Sequence, residues 1–324
     1  MLIESGGSRD VYAAGTLCPD PSAGPDGPCT PDALFDLASL TKLATSALAL
    51  ALVRERVIEL DMPLREIVPD FRGGAKDDVT IAHVLTHTAG LRWWKPLYEE
   101  ATGLEQAVWL AAHEPLAHER GTFVYSDLGY VVLTAGLAHA GGAPLAELLR
   151  EMVLGPVEAE TCEFGPRPPD VCAATERDDR WRGRRMRGEV HDENAHAMGG
   201  VAGHAGLFGT AADVAAIARV FRDGAVIGND LAALARREHA RGENARHGLG
   251  LALRAPEGAM CGRFFSEDAF GHSGFTGTSL WVDPAQELTV VLLTNRVYFG
   301  RDNADELYRF RIAVHEALSP QGGE

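Results

Sequence analysis

The sequence is short of cysteine, of aromatic residues and of positive charge. Its 324 residues include 5 cysteines and 7% aromatics, and 30 lysines and arginines face 46 acidic residues, a net charge of -16. This negative excess would repel a phosphate backbone, so we expect no nucleic-acid partner. Long apolar runs are also missing, since ATSALALALV stops at Arg54. We therefore predict no transmembrane segment.

The cysteines form no CxxC pair, and two pairs flank loops rich in proline and glycine. Cys18 and Cys29 bracket the first loop, and Cys162 and Cys172 bracket the second. Either the pairs are loop-closing disulfides or all are free thiols in a reducing compartment. The start, MLIESGGSRD, lacks the basic and apolar regions of a secretory signal. We expect a cytoplasmic location, or export if an N-terminal segment is missing, and leave the oligomeric state open.

Strand patterns lie at both ends of the chain and helical patterns lie between them. LIES and DVYAAGTL alternate like a hairpin, and HGLGLALR, TSLWVDP and ELTVVLLTN read as later strands before a helix over about 304–318. The predicted fold class is α/β (α+β), with an antiparallel sheet flanked by helices. We assign residues 1–35 and 200–324 to the sheet domain. A mainly helical domain, 36–199, is inserted, with the active site at the junction.

The stretch SLTK places a hydroxyl and an amine one helical turn apart. Asp36 is a candidate cap for a helix that carries Ser39 and Lys42 and runs to about Arg56. At spacing i, i+3 the two side chains meet, and the first turn of a helix favours developing negative charge. An adjacent amine can accept or relay the proton that a serine nucleophile must lose. The alternative is a capping serine beside a surface lysine.

Two later stretches supply groups that would complete such a site. FVYSDLGY contains Tyr125 and Asp127, and a tyrosine beside a lysine can have a lowered pKa because the cation favours phenolate. FGHSGFTGTSLWVD is rich in small residues, which let a substrate carbonyl lie along a strand edge. There the backbone N–H groups of Ser39 and Phe275 could form an oxyanion hole.

Taken together, six stretches in order resemble the serine hydrolases of the β-lactamase, penicillin-binding-protein and carboxylesterase superfamily. The class C β-lactamase-like branch is most similar. The stretches are FDLASLTK, HVLTHTAGL, FVYSDLGYVVL, GGVAGHAGLFGTAADVA, GHSGFTGTSLWVDP and VVLLTNR. The resemblance implies a β-lactamase/transpeptidase-like fold and an acyl-enzyme formed on Ser39. It also implies that Lys42 and Tyr125 manage the proton, and that no metal or organic cofactor is needed.

Two positions depart from the pattern of the family. Asp127 stands where many relatives carry asparagine, and we expect its carboxylate to pair with Lys42. His272, followed by Ser273 and Gly274, stands where β-lactamases usually carry lysine. A histidine is mostly neutral at pH 7 and would become a cation only under mildly acidic conditions. This change disfavours recognition of a free carboxylate and efficient penicillin hydrolysis.

Histidines outside the three motifs have two interpretations. We interpret His83 and His87 in HVLTH as buried histidines bonded to backbone rather than zinc ligands, because the pattern lacks the glutamate of HExxH. The loop with His191, Asp192 and Asn194 precedes a glycine-rich crossing. These three side chains either bind substrate at the cleft or serve only the crossing.

The sequence therefore predicts a serine hydrolase that cleaves an ester or amide. Its partner would be a small ester or a D-amino-acid peptide, and the residues that bind it would include those of the second and third motifs (Asp127, His272, Ser273, Gly274). One alternative is a weakly catalytic or non-catalytic module that binds penicillin or cell-wall peptide. Another is a true β-lactamase. Hydrolysis of a simple ester would separate the enzymes from the binding module.

Overall fold

Eight antiparallel strands form the main sheet and join the two ends of the chain. In this computed structural model, which describes residues 1–257 and 260–319, the order is β2-β1-β13-β12-β11-β10-β9-β8. The strands of this sheet are β1 (Leu2–Ser5), β2 (Ser8–Val11), β8 (Ala240–Gly242), β9 (Ala245–His247), β10 (Ala252–Leu253), β11 (Phe270–Ser273), β12 (Ser279–Asp283) and β13 (Leu288–Leu292). Leu2 pairs with Val291, so the N-terminal hairpin extends the C-terminal strands, as predicted.

Short strands form two smaller sheets. They are β3 (Phe35–Asp36), β4 (Glu163–Phe164) and β7 (Leu207–Gly209) in one, and β5 (Arg177–Asp178) with β6 (Arg184–Arg185) in the other. The helices are α1 (Thr41–Arg54), α2 (Ile81–Leu85), α3 (Leu104–His113), α4 (Asp127–Gly141), α5 (Leu145–Leu149), α6 (Glu193–Ala197), α7 (Ala211–Arg222), α8 (Asn229–Ala235) and α9 (Ala304–Leu318). A π-helical turn, Arg150–Leu154, continues α5.

The central strands are covered on both faces. Every residue of β12 and β13 is buried, because α7 packs on one side and Leu318 of α9 joins the Trp281 cluster on the other. Helix α7 starts at a capping box in which Thr210 and Asp213 bond reciprocally, as the sequence predicted. Strands buried on both faces need continuous apolar sequence, and ELTVVLLTN supplies it.

Helix α1 runs through the centre of the molecule. All its residues from Thr41 to Leu52 are buried, and it packs against α4, α5 and α7. One hydrophobic cluster includes Leu2 of the sheet, Leu43 of α1 and Leu133 of α4. The assignment of 1–35 and 200–324 to one domain and 36–199 to another stays a prediction.

The cysteine pairs are not joined by disulfides. All five cysteines are free thiols, and burial raises the pKa of Cys172 and of Cys261 to about 12.

Within 1–257 and 260–319, no single helix is long and apolar enough to cross a membrane. The pair Asp127–Gly141 and Leu145–Leu154 passes by length and composition only when taken together, and it is bent by 75°.

Candidate active site

Ser39 lies in a 3-10 turn, Ala38–Leu40, directly before α1. Asp36 fixes this turn rather than capping the α-helix, because its Oδ1 accepts the N–H of Ala38 at 2.8 Å. Its Oδ2 accepts the N–H of His191 at 2.6 Å. Both carboxylate oxygens are therefore used to hold the backbone that carries the serine.

The loop after β11 is tied to the same turn. Thr276 Oγ1 donates to the carbonyl of Asp36 at 2.7 Å, and Thr278 Oγ1 donates to that of Leu37 at 3.0 Å. A Cβ on Gly274 would lie 2.1 Å from Thr278 Oγ1, so only glycine fits there. These contacts place Phe275 beside the serine turn. Within the described residues, no hydrogen bond uses the Phe275 N–H, which leaves it available to an oxyanion.

Lys42 is fully buried and its ammonium group has three partners. Nζ donates to Ser39 Oγ at 2.9 Å and to the carbonyl of His204 at 3.0 Å, and it lies 2.7 Å from Asp127 Oδ1. Burial alone would lower the pKa of Lys42, but the Asp127 carboxylate beside it, helped by the oxygen of Tyr125, outweighs burial and raises that pKa. Lys42 is thus a cation at neutral pH, and the pairing with Asp127 expected from the sequence is present.

Tyr125 completes the group around the serine. Its hydroxyl interacts with the side chains of Ser39 and Lys42, and Lys42 Nζ lies 5.2 Å from the ring centroid. Burial raises the pKa of Tyr125 and outweighs the opposing effect of Lys42. The expectation of a lowered pKa is therefore wrong, because desolvation disfavours phenolate more than the nearby cation favours it. The resting residue is a phenol.

His87 holds the loop that carries Tyr125. Its carbonyl accepts the N–H of Val124 at 2.9 Å, its Nδ1 accepts that of Ser126 at 3.1 Å, and its ring centroid lies 4.4 Å from that of Tyr125. Burial, with smaller effects from His247, Lys42 and His272, lowers the pKa of His87 well below its usual value. A neutral ring is what an accepting Nδ1 requires. The interpretation of His87 as a buried histidine bonded to backbone is confirmed.

His272 lies at the end of β11 and is 4% exposed. Its Nδ1 lies 2.9 Å from the carbonyl of Ser273, and its ring centroid is 5.9 Å from that of Tyr125. Burial, then Lys42 and His247, lower the pKa of His272 to about 3. The prediction that mild acid makes it a cation is wrong, because the buried ring cannot be solvated when charged.

A cleft of about 880 Å³ opens onto Ser39. Most of the site residues predicted from the sequence line it, namely Ser39, Tyr125, Asp127, His191, Asp192, His272, Ser273, Gly274 and Phe275. Lys42 lies beneath its floor, fully buried. The Phe275 ring is 46% exposed and stacks 5.6 Å from His191.

Asn194 does not reach the cleft, so the substrate-binding interpretation of the 191–194 loop is wrong for this residue. The side chain is fully buried, with Oδ1 accepting the N–H of Tyr98 at 3.0 Å and Nδ2 donating to the carbonyl of Lys95 at 2.8 Å. It turns inward at the start of α6 and supports the 95–98 segment. Glu193, one residue earlier, lines the cleft instead.

Sequence reasoning missed two further features of the site. His204 gives its carbonyl to Lys42, and its Nε2 lies 2.8 Å from Asp192 Oδ1. Arg296 and Arg301 enter the cleft around Phe275, with guanidinium centres 4.4 and 5.6 Å from its ring centroid. The flanks GHAGLF and LTNR contain His204 and Arg296, and Arg301 follows five residues later, but nothing in these patterns indicated what the three residues contact.

The site combines a serine at a helix start, a buried lysine beneath it and a tyrosine facing both. The fold around it is an antiparallel sheet covered by helices. Together these features define a class, the serine hydrolases of the β-lactamase/transpeptidase fold. The Beta-lactamase family model matches residues 5–314, and the chain belongs to that family. The predicted fold class and resemblance are confirmed.

Individual relatives agree with this assignment. The chain is 30% identical over 338 residues to a Salmonella agona protein described as "Putative D-alanyl-D-alanine carboxypeptidase", covering 91% of this chain and 76% of the relative. Among solved structures, the hydrolase EstCE1 superposes with a TM-score of 0.79 at 23% identity, covering 97% and 92% of the two chains. A class C β-lactamase from Rhodobacter sphaeroides superposes with 0.75 at 17%, covering 98% and 94%. These two likenesses show the fold.

Proposed function

We propose that this chain hydrolyses a small ester or a D-amino-acid peptide through an acyl-enzyme on Ser39. The observation that carries this proposal is the contact of Lys42 Nζ with Ser39 Oγ at 2.9 Å, at the base of an open cleft. A buried cation at this distance stabilises the serine oxygen as it loses its proton. A capping serine beside a surface lysine would not have this arrangement.

The acylation step follows from these contacts. The phenol of Tyr125 first gives its own proton to solvent. Ser39 Oγ then attacks the substrate carbonyl carbon while the serine proton passes to the Tyr125 phenolate oxygen. Lys42, held by Asp127, keeps its proton and stabilises both oxygens. The N–H groups of Ser39 and Phe275 bind the carbonyl oxygen as it becomes negative. The C–O or C–N bond then breaks, and Tyr125 returns the proton to the leaving group.

Deacylation repeats the same chemistry with water. The phenolate of Tyr125 accepts a proton from a water molecule as the water oxygen attacks the acyl carbon. Tyr125 then gives this proton to Ser39 Oγ as the ester bond to the serine breaks. The acid is released and the serine is restored.

Two observations support the choice of substrate. His272 stays neutral, so the third motif offers no cation of the kind that its lysine counterpart provides, and this favours an ester without a free carboxylate. The description of the Salmonella agona relative supports a D-amino-acid peptide. A stalled penicillin-binding module and a true β-lactamase are the other outcomes of the test.

The test is a parallel assay of p-nitrophenyl butyrate, a D-Ala-D-Ala peptide and nitrocefin, with wild type and Ser39→Ala. We expect Ser39-dependent turnover of the ester or the peptide, and slow or no turnover of nitrocefin. A stoichiometric burst without turnover would instead indicate a binding module. Activity that survives Ser39→Ala would refute the acyl-enzyme.

A further inference from the structure

His191 contacts the supports of both backbone groups that would bind the oxyanion. Its N–H donates to Asp36 Oδ2 at 2.6 Å, and Asp36 Oδ1 accepts the N–H of Ala38, the residue before Ser39. Its imidazole ring stacks on the ring of Phe275, with 5.6 Å between the centroids and 26° between the planes. One residue is therefore linked to the serine turn through its backbone and to the loop after β11 through its ring.

Glu176 fixes the orientation of the His191 ring. Its Oε2 lies 2.8 Å from His191 Nε2, and Nε2 must carry the proton because a carboxylate only accepts. Burial alone would raise the pKa of Glu176, but hydrogen bonds from His191 and Arg301 outweigh it and lower that pKa to about 2. The carboxylate is charged at neutral pH, so turning the ring out of its stack would break a hydrogen bond to a charged group.

Arg301 links the same carboxylate to the same aromatic ring. Its Nη2 lies 2.7 Å from Glu176 Oε2, and its guanidinium centre lies 5.6 Å from the Phe275 ring centroid. A guanidinium near an aromatic face is attracted by the electron density of that face. Glu176, His191 and Arg301 thus form one hydrogen-bonded group with two contacts on the Phe275 ring, and we call these three residues the ring clamp.

The ring clamp joins three segments that are distant in sequence. Glu176 directly precedes β5, His191 lies shortly before α6, and Arg301 lies between β13 and α9. The β5–β6 hairpin holds the first segment, since the N–H of Met186 donates to the Glu176 carbonyl at 2.9 Å. The Phe275 ring itself is 46% exposed, so core packing does not hold it. The ring clamp is what restrains this side chain.

We propose that Glu176 is a positioning residue for the oxyanion hole, because it holds His191 against Phe275. The inference rests on the proposed function, in which the N–H groups of Ser39 and Phe275 bind the carbonyl oxygen as it becomes negative. Donors that are already in place stabilise a transition state more than donors that must first be ordered. Glu176 then acts on the chemical step and has little effect on the binding of an uncharged substrate.

The test uses two ketone inhibitors with the same chain, butyl trifluoromethyl ketone and butyl methyl ketone. Ser39 adds to the activated trifluoromethyl ketone and leaves a negative oxygen in the oxyanion hole, whereas the methyl ketone binds as an uncharged carbonyl. The ratio of their inhibition constants, measured against p-nitrophenyl butyrate, reports on the oxyanion hole. This ratio does not depend on the fraction of enzyme that is folded. In wild type the trifluoromethyl ketone should bind more tightly.

Glu176→Gln keeps the shape of the side chain but leaves one acceptor oxygen for two donors. It should lower the preference for the trifluoromethyl ketone roughly 10-fold, a part of the roughly 10²–10³-fold effect of removing a whole oxyanion donor. The kcat/KM for the ester should fall by a similar factor, and the inhibition constant of the methyl ketone should not change. The control is Glu238→Gln, since Glu238 is also shared by two arginines, Arg241 at 2.7 Å and Arg246 at 2.6 Å. This control should keep the wild-type preference.

Phe275→Ala shows whether the effect passes through the ring. It removes an exposed ring and keeps the backbone N–H, so it should fold and should lower the preference as Glu176→Gln does. Adding Glu176→Gln to it should then have little further effect. A wild-type preference in either single variant would overturn the inference, and so would fully additive losses in the double variant.

Failure of the proposed function gives a different result. In that case the wild type shows no Ser39-dependent ester hydrolysis and no preference for the trifluoromethyl ketone, and both claims are wrong. If wild type shows both and Glu176→Gln keeps the preference, only the positioning role of Glu176 is wrong.

Discussion

Nζ of Lys42 lies 2.7 Å from Oδ1 of Asp127, and this ion pair sits directly beneath the candidate nucleophile. The lysine is fully buried, whereas the Asp127 side chain is 17% exposed toward the cleft. The carboxylate therefore keeps a cation in a place where burial alone would favour a neutral amine. In the proposed mechanism Lys42 is therefore an electrostatic stabiliser of Ser39, and Tyr125 is the base.

Replacing Asp127 by asparagine should destabilise the fold. Folding raises the pKa of Lys42, so the Lys42–Asp127 pair stabilises the fold fully at any pH below the pKa of lysine in the unfolded chain. This stabilisation is lost only as pH rises through the higher pKa of the folded state. At pH 7.5 we expect Asp127→Asn to lower the free energy of unfolding by roughly 1–3 kcal/mol, measured by urea denaturation. The control is Asp179→Asn, which breaks an exposed pair with Arg177 and should have a much smaller effect. Equal effects of the two variants would contradict a stabilising Lys42–Asp127 pair.

Tyr125→Phe should reduce kcat by roughly 10²–10⁴, the range for general acid–base catalysis, and leave the fold intact. Because the pKa of Tyr125 is raised, the phenolate fraction grows up to tenfold per pH unit through the alkaline range. Wild-type kcat/KM for a neutral ester should therefore rise between pH 7 and 9, and the variant should show a flat profile. Tyr130→Phe removes a buried hydroxyl bonded to Ser46 and is the matched control. A loss of less than about threefold in Tyr125→Phe would move the base elsewhere.

His272 should make the protein less stable in mild acid. Its pKa is lowered to about 3 in the folded state, so the unfolded chain binds more protons below its ordinary value near 6.5. The contribution of the neutral His272 ring to the free energy of unfolding is present above pH 6.5 and is lost as pH falls. Between pH 7.5 and 5.0 this loss amounts to about 2 kcal/mol. In His272→Gln the drop in unfolding free energy over this interval should be smaller by that amount, and an identical drop in both proteins would argue against a buried neutral ring.

Much of the site followed from sequence because its key contacts are local or carried by short motifs. Ser39 and Lys42 meet because of their i, i+3 spacing, and the alternation and length of the apolar stretches predicted the terminal strands. The pKa values of Tyr125 and His272 could not be read in the same way. They depend on desolvation, which is set by the packing of the whole cleft.

Long-range contacts account for the other misses. The place of Asn194 beside His191 and Asp192 in the sequence suggests a cleft position, but a short helix turns successive side chains in different directions. The Asn194 side chain faces the 95–98 segment. Arg296 reaches Phe275 only because β12 and β13 return the chain to the same place. No local pattern encodes that meeting.

The most direct measurement is the site of covalent labelling by a fluorophosphonate probe. Intact-mass analysis should show one adduct per chain, and peptide mapping should place it on Ser39, because this is the serine whose oxygen contacts buried Lys42. The exposed-serine variant Ser22→Ala should keep the adduct and Ser39→Ala should lose it. An adduct that survives Ser39→Ala, or that maps to another residue, would contradict the acyl-enzyme account.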